Sequence, residues 1–160
     1  GSLEDDNVIL FNPDRSMKRV EFAIMMTNYL GINVDEYADV NLPFTDNDDI
    51  PWWAENNVKA VYSLGLMKGQ LGQFGTAFNP NADINRMEFA ISLNRLLPAG
   101  LYSEPITAAD ADEIPFWAEE SMKTAVAQGI MSGYPDGTLK PFKSVSRAEA
   151  VKMVYNIFGM

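Results

Sequence analysis

Three segments of this chain open alike: "MKRVEFAIMMTNYL" at Met17, "INRMEFAISLNRLL" at Ile84 and "VSRAEAVKMVYNIF" at Val145. Each sets Arg-x-Glu at the head of an apolar-periodic stretch. An internal repeat constrains a fold more than composition does, because a short unit cannot bury its apolar face alone and must stack on its neighbours. The arginine is the odd element. A helix N-terminus carries partial positive charge, so a cation there costs a few tenths of a kcal/mol. One such Arg means little, but three at one position ask for a reason.

The repeat extends upstream of the arginines. "FTDNDDIPWWAENNVKAVYSLGLMKG" (44–69) aligns with "AADADEIPFWAEESMKTAVAQGIMSG" (108–133), pairing Asp46 with Asp110, Pro51 with Pro115, Trp53 with Trp117, Gly65 with Gly129 and Gly69 with Gly133. Each segment runs through a turn, "QLGQFGTAFNP" or "YPDGTLKPF", into an Arg-x-Glu helix. The first copy shows only its back half: "FNPDRSMKRVEFA" (11–23) matches "FNPNADINRMEFA" (78–90), with no Trp-Ala segment ahead of it. We therefore expect a single repeat domain over 1–160, made of a partial copy at 11–30 and two full copies at 44–97 and 108–159. The segments 31–43 and 98–107 read as linkers, with Gly31, Pro43, Pro98, Gly100 and Pro105 as breakers.

Local chemistry specifies two helix types. Pro51 and Pro115 suit the N1 position of a first helix, with Ala54, Val58, Val61 and Tyr62 as its apolar face. Gly65 and Gly129 suit its C-terminal end. In the second type, Val151, Val154, Tyr155 and Phe158 follow i, i+3, i+4, i+7. Ser146 to Glu149 makes a capping box and Asn85 to Glu88 a weaker one, while Lys18 is a poor cap. Met17 with Phe22 and Ile84 with Phe89 are spaced as hydrophobic staples. Glu21, Glu88 and Glu149 read as caps, and the nine Met as core filler.

Composition removes several functions. The net charge of −10 argues against general nucleic-acid binding and against docking on anionic lipid. Without Cys or His the chain has no disulfide, no thiol chemistry, no Ser-His-Asp set and none of the usual zinc, copper or haem sites. No cofactor is expected. "DNDD" and "DADE" lack the full calcium-loop pattern and read as acidic residues ahead of a helix, so no metal is expected either. No apolar run reaches the roughly 20 residues of a membrane span, so no membrane insertion is expected. Gly1-Ser2 reads as a cloning scar, and the chain as an excised mature fragment without a signal peptide. Paired carboxylates for glycoside hydrolysis are not marked by any motif, so no enzyme activity is expected.

On these residues alone, Arg19, Arg86 and Arg147 have two readings. Each pairs with an acid or faces solvent, or each joins the free amides of its helix end as a donor cluster for a carboxylate or phosphate. Trp53 and Trp117 either stack on sugar rings or anchor the first helix on the core. Tyr134, Asp136 and Gly137 form a turn.

The ordered series "FTD…IPWWA…GLMKG…FNP…INRMEFA" and "AAD…IPFWA…GIMSGYPDGTLKPF…VSRAEAV" resembles the S-layer homology domain of bacterial surface proteins. The resemblance covers roughly 11–30 and 44–159 and implies a mostly α fold. It is a pseudo-trimer in which the Arg-x-Glu helices form a central three-helix bundle and the other helices peripheral lobes. It further implies a secreted, non-catalytic anchor at the bacterial cell surface. Its partner is a cell-wall polysaccharide, in many Gram-positive members one bearing a pyruvate ketal, bound in grooves between repeats. The signature arginine is a ligand residue there, which carries over to Arg86 and Arg147 and less directly to Arg19. The turn at Gly133, Tyr134 and Asp136 would border a groove. The "INRME" and "KRVE" variants, Ala108 in place of the usual Phe, the turn "QLGQFGTAF" and the missing front of the first copy depart from the family pattern. They leave a second reading open, a degenerate fold kept for protein–protein interaction or for peptidoglycan-linked groups. The incomplete copy also leaves self-association open.

Overall fold

The computed structural model describes residues 14–158. Among them the chain is mostly α, with helices α1 (Arg19–Tyr29), α2 (Glu55–Ser63), α3 (Arg86–Asn94), α4 (Glu119–Ala127) and α5 (Arg147–Phe158). One short antiparallel hairpin, β1 (Gln70–Gly72) and β2 (Gly75–Ala77), follows α2. Gly1, Ser2 and the "FNP" of the first copy lie outside the described residues. The chain divides into two compact units, one of Lys18–Asp83 and one that joins the residues up to Met17 to those from Ile84 onward.

In the unit Lys18–Asp83, α1 packs on α2. Phe22, Ala23 and Met26 of α1 are fully buried, as are Val58 and Val61 of α2. Asn57 Nδ2 donates to Thr27 Oγ1 across the pair at 2.7 Å. The expected linker 31–43 is in fact folded: a 3-10 turn at Val34–Tyr37 packs on α2, and Lys59 Nζ donates to the Ala38 carbonyl at 2.8 Å. Four residues of one turn are too few to show a period, which is why the sequence reads them as a connection.

In the other unit, α3 packs on both α4 and α5. The contact between α3 and α5 is one expected of bundle partners. Phe89, Ala90 and Leu93 of α3, Met122 and Ala125 of α4, and Ala150, Met153 and Val154 of α5 are buried. The expected apolar face of α5 is corrected here. Val151 and Tyr155 are 62% and 54% exposed, and the buried stripe runs through Ala150 and Met153 instead. The spacing alone fits either stripe, and Val154, expected on the apolar face, is buried in both.

Both first-type helices end as expected. Gly65 and Gly129 have φ of +75° and +76°, a region open to glycine at little cost. Leu66 N–H returns to the Val61 carbonyl at 2.9 Å and Ile130 N–H to the Ala125 carbonyl at 2.9 Å, the bond that closes a Schellman motif. Their starts differ from expectation. Pro51 and Pro115 precede 3-10 turns, Trp52–Ala54 and Phe116–Ala118, and the α-helices begin only at Glu55 and Glu119. Proline fixes φ equally well ahead of either helix type, so its presence could not decide between them.

Asp46 and Asp110 do more than precede a helix. Asp46 accepts from the amides of Phe78 and Asn79, both at 2.8 Å, and Asp110 from those of Leu139 and Lys140, both at 2.9 Å. Asn79 and Lys140 hold positive φ, 55° and 50°, so each carboxylate pins a strained corner. The residues two positions ahead of the three arginines close a backbone ring: Met17 N–H donates to Val145 (2.8 Å), Val145 N–H to Ile84 (3.0 Å) and Ile84 N–H to Met17 (2.9 Å). All three side chains are buried.

Two outcomes are expected. Met153→Ala should lower the unfolding free energy by about 2–5 kcal/mol, whereas Val151→Ala should stay within about 0.5 kcal/mol, as denaturant titration of each variant will show. The amide of Leu139 is the main cause holding the Asp110 carboxyl below its ordinary pKa, and the Thr138 hydroxyl does the same for Asp136. A carboxyl depressed on folding contributes stability above its unfolded pKa and loses it as pH falls through the folded one. Stability should therefore decline as pH drops into and below the ordinary carboxylate range. Asp110→Asn, weaker at neutral pH, should show a shallower decline in unfolding titrations at stepped pH.

Candidate functional site

The second helix type positions its arginine by a rule that the structure repeats. Arg19 Nε donates to the Phe78 carbonyl at 2.7 Å, and Arg86 Nε to the Leu139 carbonyl at 2.9 Å. Phe78 and Leu139 are the residues whose amides Asp46 and Asp110 hold. Both arginines are buried, at 2% and 6% exposure. A buried guanidinium needs partners for its donors and its charge. Arg86 finds them in the Ser132 carbonyl, which accepts from an Nη at 2.7 Å, and in Glu149, which takes the other Nη as a salt bridge. Its guanidinium also lies 4.6 Å from the Tyr134 ring centroid.

Glu149 therefore has two duties. Its backbone amide donates to the Ser146 hydroxyl at 3.1 Å, the cap expected of it. Its carboxylate neutralises the arginine of the preceding copy and stands 3.4 Å from the Tyr134 hydroxyl. The cap is present as expected, and the ion pair with Arg86 is a second duty that the sequence did not show.

These residues wall a cavity of about 190 Å³, which Gly133, Lys152 and Asn156 also line. A Cβ on Gly133 would stand 3.0 Å from the Thr138 carbonyl oxygen, so the close approach favours glycine there. Two further cations stand at its edge: Lys140 Nζ and Lys143 Nζ lie 4.7 and 4.9 Å from the Tyr134 ring centroid, and Lys143 donates to the Tyr134 hydroxyl at 3.2 Å. Arg86, Lys140, Lys143 and Lys152 thus face Glu149 and Asp136, a local excess of positive charge on a chain of net charge −10.

Of the residues expected from sequence, the cavity brings together Arg86, Gly133 and Tyr134. Asp136 instead closes the turn, accepting from the Thr138 amide at 3.0 Å and its hydroxyl at 2.6 Å. Arg19 sits in the other unit against Phe78. Arg147 does not line the cavity, and neither do Trp53 and Trp117, which are exposed. The helix ends are not open donor clusters either. Arg86 N–H donates to Lys143 and Met87 N–H to Pro141, both at 2.9 Å, while Glu88 N–H donates to Asn85 Oδ1 at 2.7 Å. Arg147 N–H donates to the Arg15 carbonyl at 3.0 Å. The segment leading into one helix caps another, so those amides are already used. The lysines were missed by sequence reasoning, though a signal existed: Lys140, Lys143 and Lys152 replace Asn79, Ala82 and Ile91 of the preceding copy.

The S-layer homology domain family matches the chain at residues 43–90 and 109–151. The chain is 32% identical over 155 residues to cell surface glycoprotein 1 of Acetivibrio thermocellus, covering 90% of this chain and 6% of that protein. It is 32% identical over 151 residues to the cellulosome-anchoring protein of the same organism, with 91% and 32% covered. To S-layer protein EA1 of Bacillus anthracis it is 32% identical over 146 residues, with 90% and 16% covered. The chain thus spans at most about a third of these relatives.

The geometry predicts that Glu149→Gln, which keeps the shape but removes the charge facing a buried guanidinium, costs about 1–3 kcal/mol of stability. Ser146→Ala, which removes only the cap, should cost about 1 kcal/mol. Chemical denaturation of both variants separates the two duties: no loss in Glu149→Gln would mean that the ion pair contributes nothing of its own.

Proposed function

The chain belongs to the S-layer homology family, and we propose on that premise that it is a non-catalytic module anchoring a surface protein to the bacterial cell wall. The names of two relatives support the reading: one is a cellulosome-anchoring protein and one an S-layer protein. The partner proposed is an anionic wall polysaccharide, with the carboxylate of a pyruvate ketal as the group bound.

The observation that carries this is the charge around the Arg86 cavity. Glu149 balances the guanidinium, so the arginine shapes the wall and positions Tyr134, while Lys143 and Lys152 supply the uncompensated charge. An anion entering there meets ammonium groups against a field that is negative elsewhere. The cavity is small, which suits one acidic substituent of a sugar better than a whole oligosaccharide.

Calorimetric titration with purified wall polysaccharide, native and depyruvylated, tests the proposal. Native polymer should bind more tightly than depyruvylated polymer, and raised salt should narrow the gap. Lys143→Ala and Lys152→Ala should each weaken native binding by about tenfold, the loss of one charge-assisted contact, without loss of fold. If native and depyruvylated polymer bind these variants and the wild type alike, the anion reading fails.

A further inference from the structure

A second cavity, of about 420 Å³, lies in the unit Lys18–Asp83. It is lined by Asn41, Asn47, Asp48, Trp52, Glu55 and Lys59, with buried Ile50 at its floor. None of these residues belongs to the Arg86 cavity or entered the reading above. We propose that it is a binding site for an uncharged pyranose unit, with the Trp52 indole as its stacking platform. The inference rests on the reading of the partner as a saccharide polymer, but not on the anion site.

Trp52 carries the argument. Its side chain is 85% exposed, and an indole left in water forgoes most of the burial that its size offers. It stands directly after Pro51, whose φ of −57° fixes the approach, and at the first position of the 3-10 turn leading into α2. The backbone there fixes the direction in which the side chain leaves the chain, and the ring stands open to solvent. An exposed flat apolar face beside convergent polar groups is what a pyranose requires, since its ring hydrogens form an apolar face and its hydroxyls radiate from the edge.

The polar groups are partly committed, and the commitment selects the ligand. Lys59 is bonded to the Ala38 carbonyl and paired with Glu55 at 3.0 Å, so its charge is compensated. Asn47 Nδ2 donates to the Leu42 carbonyl at 2.7 Å, which holds the rim and turns its amide oxygen to other use. Acceptors remain at Asn41, Asn47, Asp48 and Glu55. A wall rich in acceptors, with its one cation already paired, suits hydroxyl donors and repels a carboxylate. The site thus differs in kind from the Arg86 cavity. In the third copy Phe116 and Ala111 stand at the positions of Trp52 and Asn47, so platform and rim amide coincide only in the second.

The test uses the whole chain, labelled with ¹⁵N, and follows the indole N–H resonances of its three Trp together with the side-chain amides of Asn41 and Asn47, which still report when Trp52 is replaced. The probes are methyl β-glucopyranoside and N-acetylglucosamine, with glucuronate as the charged counterpart. Trp52 should shift saturably with a roughly millimolar Kd, as expected for one sugar ring, and glucuronate should bind several-fold more weakly. Trp52→Ala, which changes an exposed side chain and should fold normally, should weaken sugar binding by about tenfold, whereas Trp53→Ala should not. Lys152→Ala, a change at an exposed side chain of the other cavity, should leave the response intact, so the inference can hold if the anion site fails. If no uncharged probe moves Trp52, or if all three Trp move alike, the inference is overturned while the anchor reading stands.

Discussion

One peptide group in each full copy is held from both ends by charge. In the peptide joining Phe78 to Asn79, the Phe78 carbonyl accepts from Arg19 and the Asn79 N–H donates to Asp46; the peptide joining Leu139 to Lys140 stands in the same way between Arg86 and Asp110. Guanidinium and carboxylate thus act on one another through a backbone unit rather than by direct contact. Hydrogen bonds to charged groups are the stronger kind, and here they hold a left-handed corner that chain propensity would not. Each link joins residues far apart in sequence: 32 positions separate Asp46 from Phe78, and 59 separate Arg19 from it. The arginine sits in a first turn because that is where the next copy's corner comes within its reach.

This constraint decides what the helix ends can do. With the corner fixed, the segment after it runs alongside the preceding helix start and offers its carbonyls: Ala82 and Pro80 to α1, Lys143 and Pro141 to α3. Those amides cannot also bind a ligand. On the proposed reading, recognition of an anion would pass from main chain to side chain, and from the buried arginine to lysines at the cavity's edge. Glu149 links the two levels, since the carboxylate that completes the packing of Arg86 also sets the charge of the wall.

Much of this was legible in the sequence. The repeat, the two helix types, the glycine ends, the Ser146–Glu149 box and the mostly α fold follow from short-range patterns, and the structure has them. What was not legible is long-range. Asp46 and Asp110 look like acids ahead of a helix, because nothing nearby in sequence shows the amides they hold. Arg86 was placed at the site, but as a ligand residue beside free amides, because the bond from Glu149 to the preceding copy has no local signature. The choice between Val151 and Ala150 as the buried stripe of α5 turned on which side of α5 meets its neighbours, which periodicity does not contain.

The copies show where such a fold leaves room for function. Arg, Asp, the turn glycines and the proline after the corner are demanded by the pinned peptide and the closed backbone ring, so they recur. Side chains that reach solvent are freer, and there the copies diverge: Ala82 against Lys143 and Trp52 against Phe116, while buried Ile91 gives way to exposed Lys152 and the corner residue Asn79 to Lys140. A residue that repeats in every copy is thus first evidence of how the units are joined. A residue that breaks the repeat on an exposed rim is the better guide to what a unit binds. By that measure the lysines around Tyr134 and the indole of Trp52 say more about recognition than the arginines that first drew notice, because the frame would stand without them.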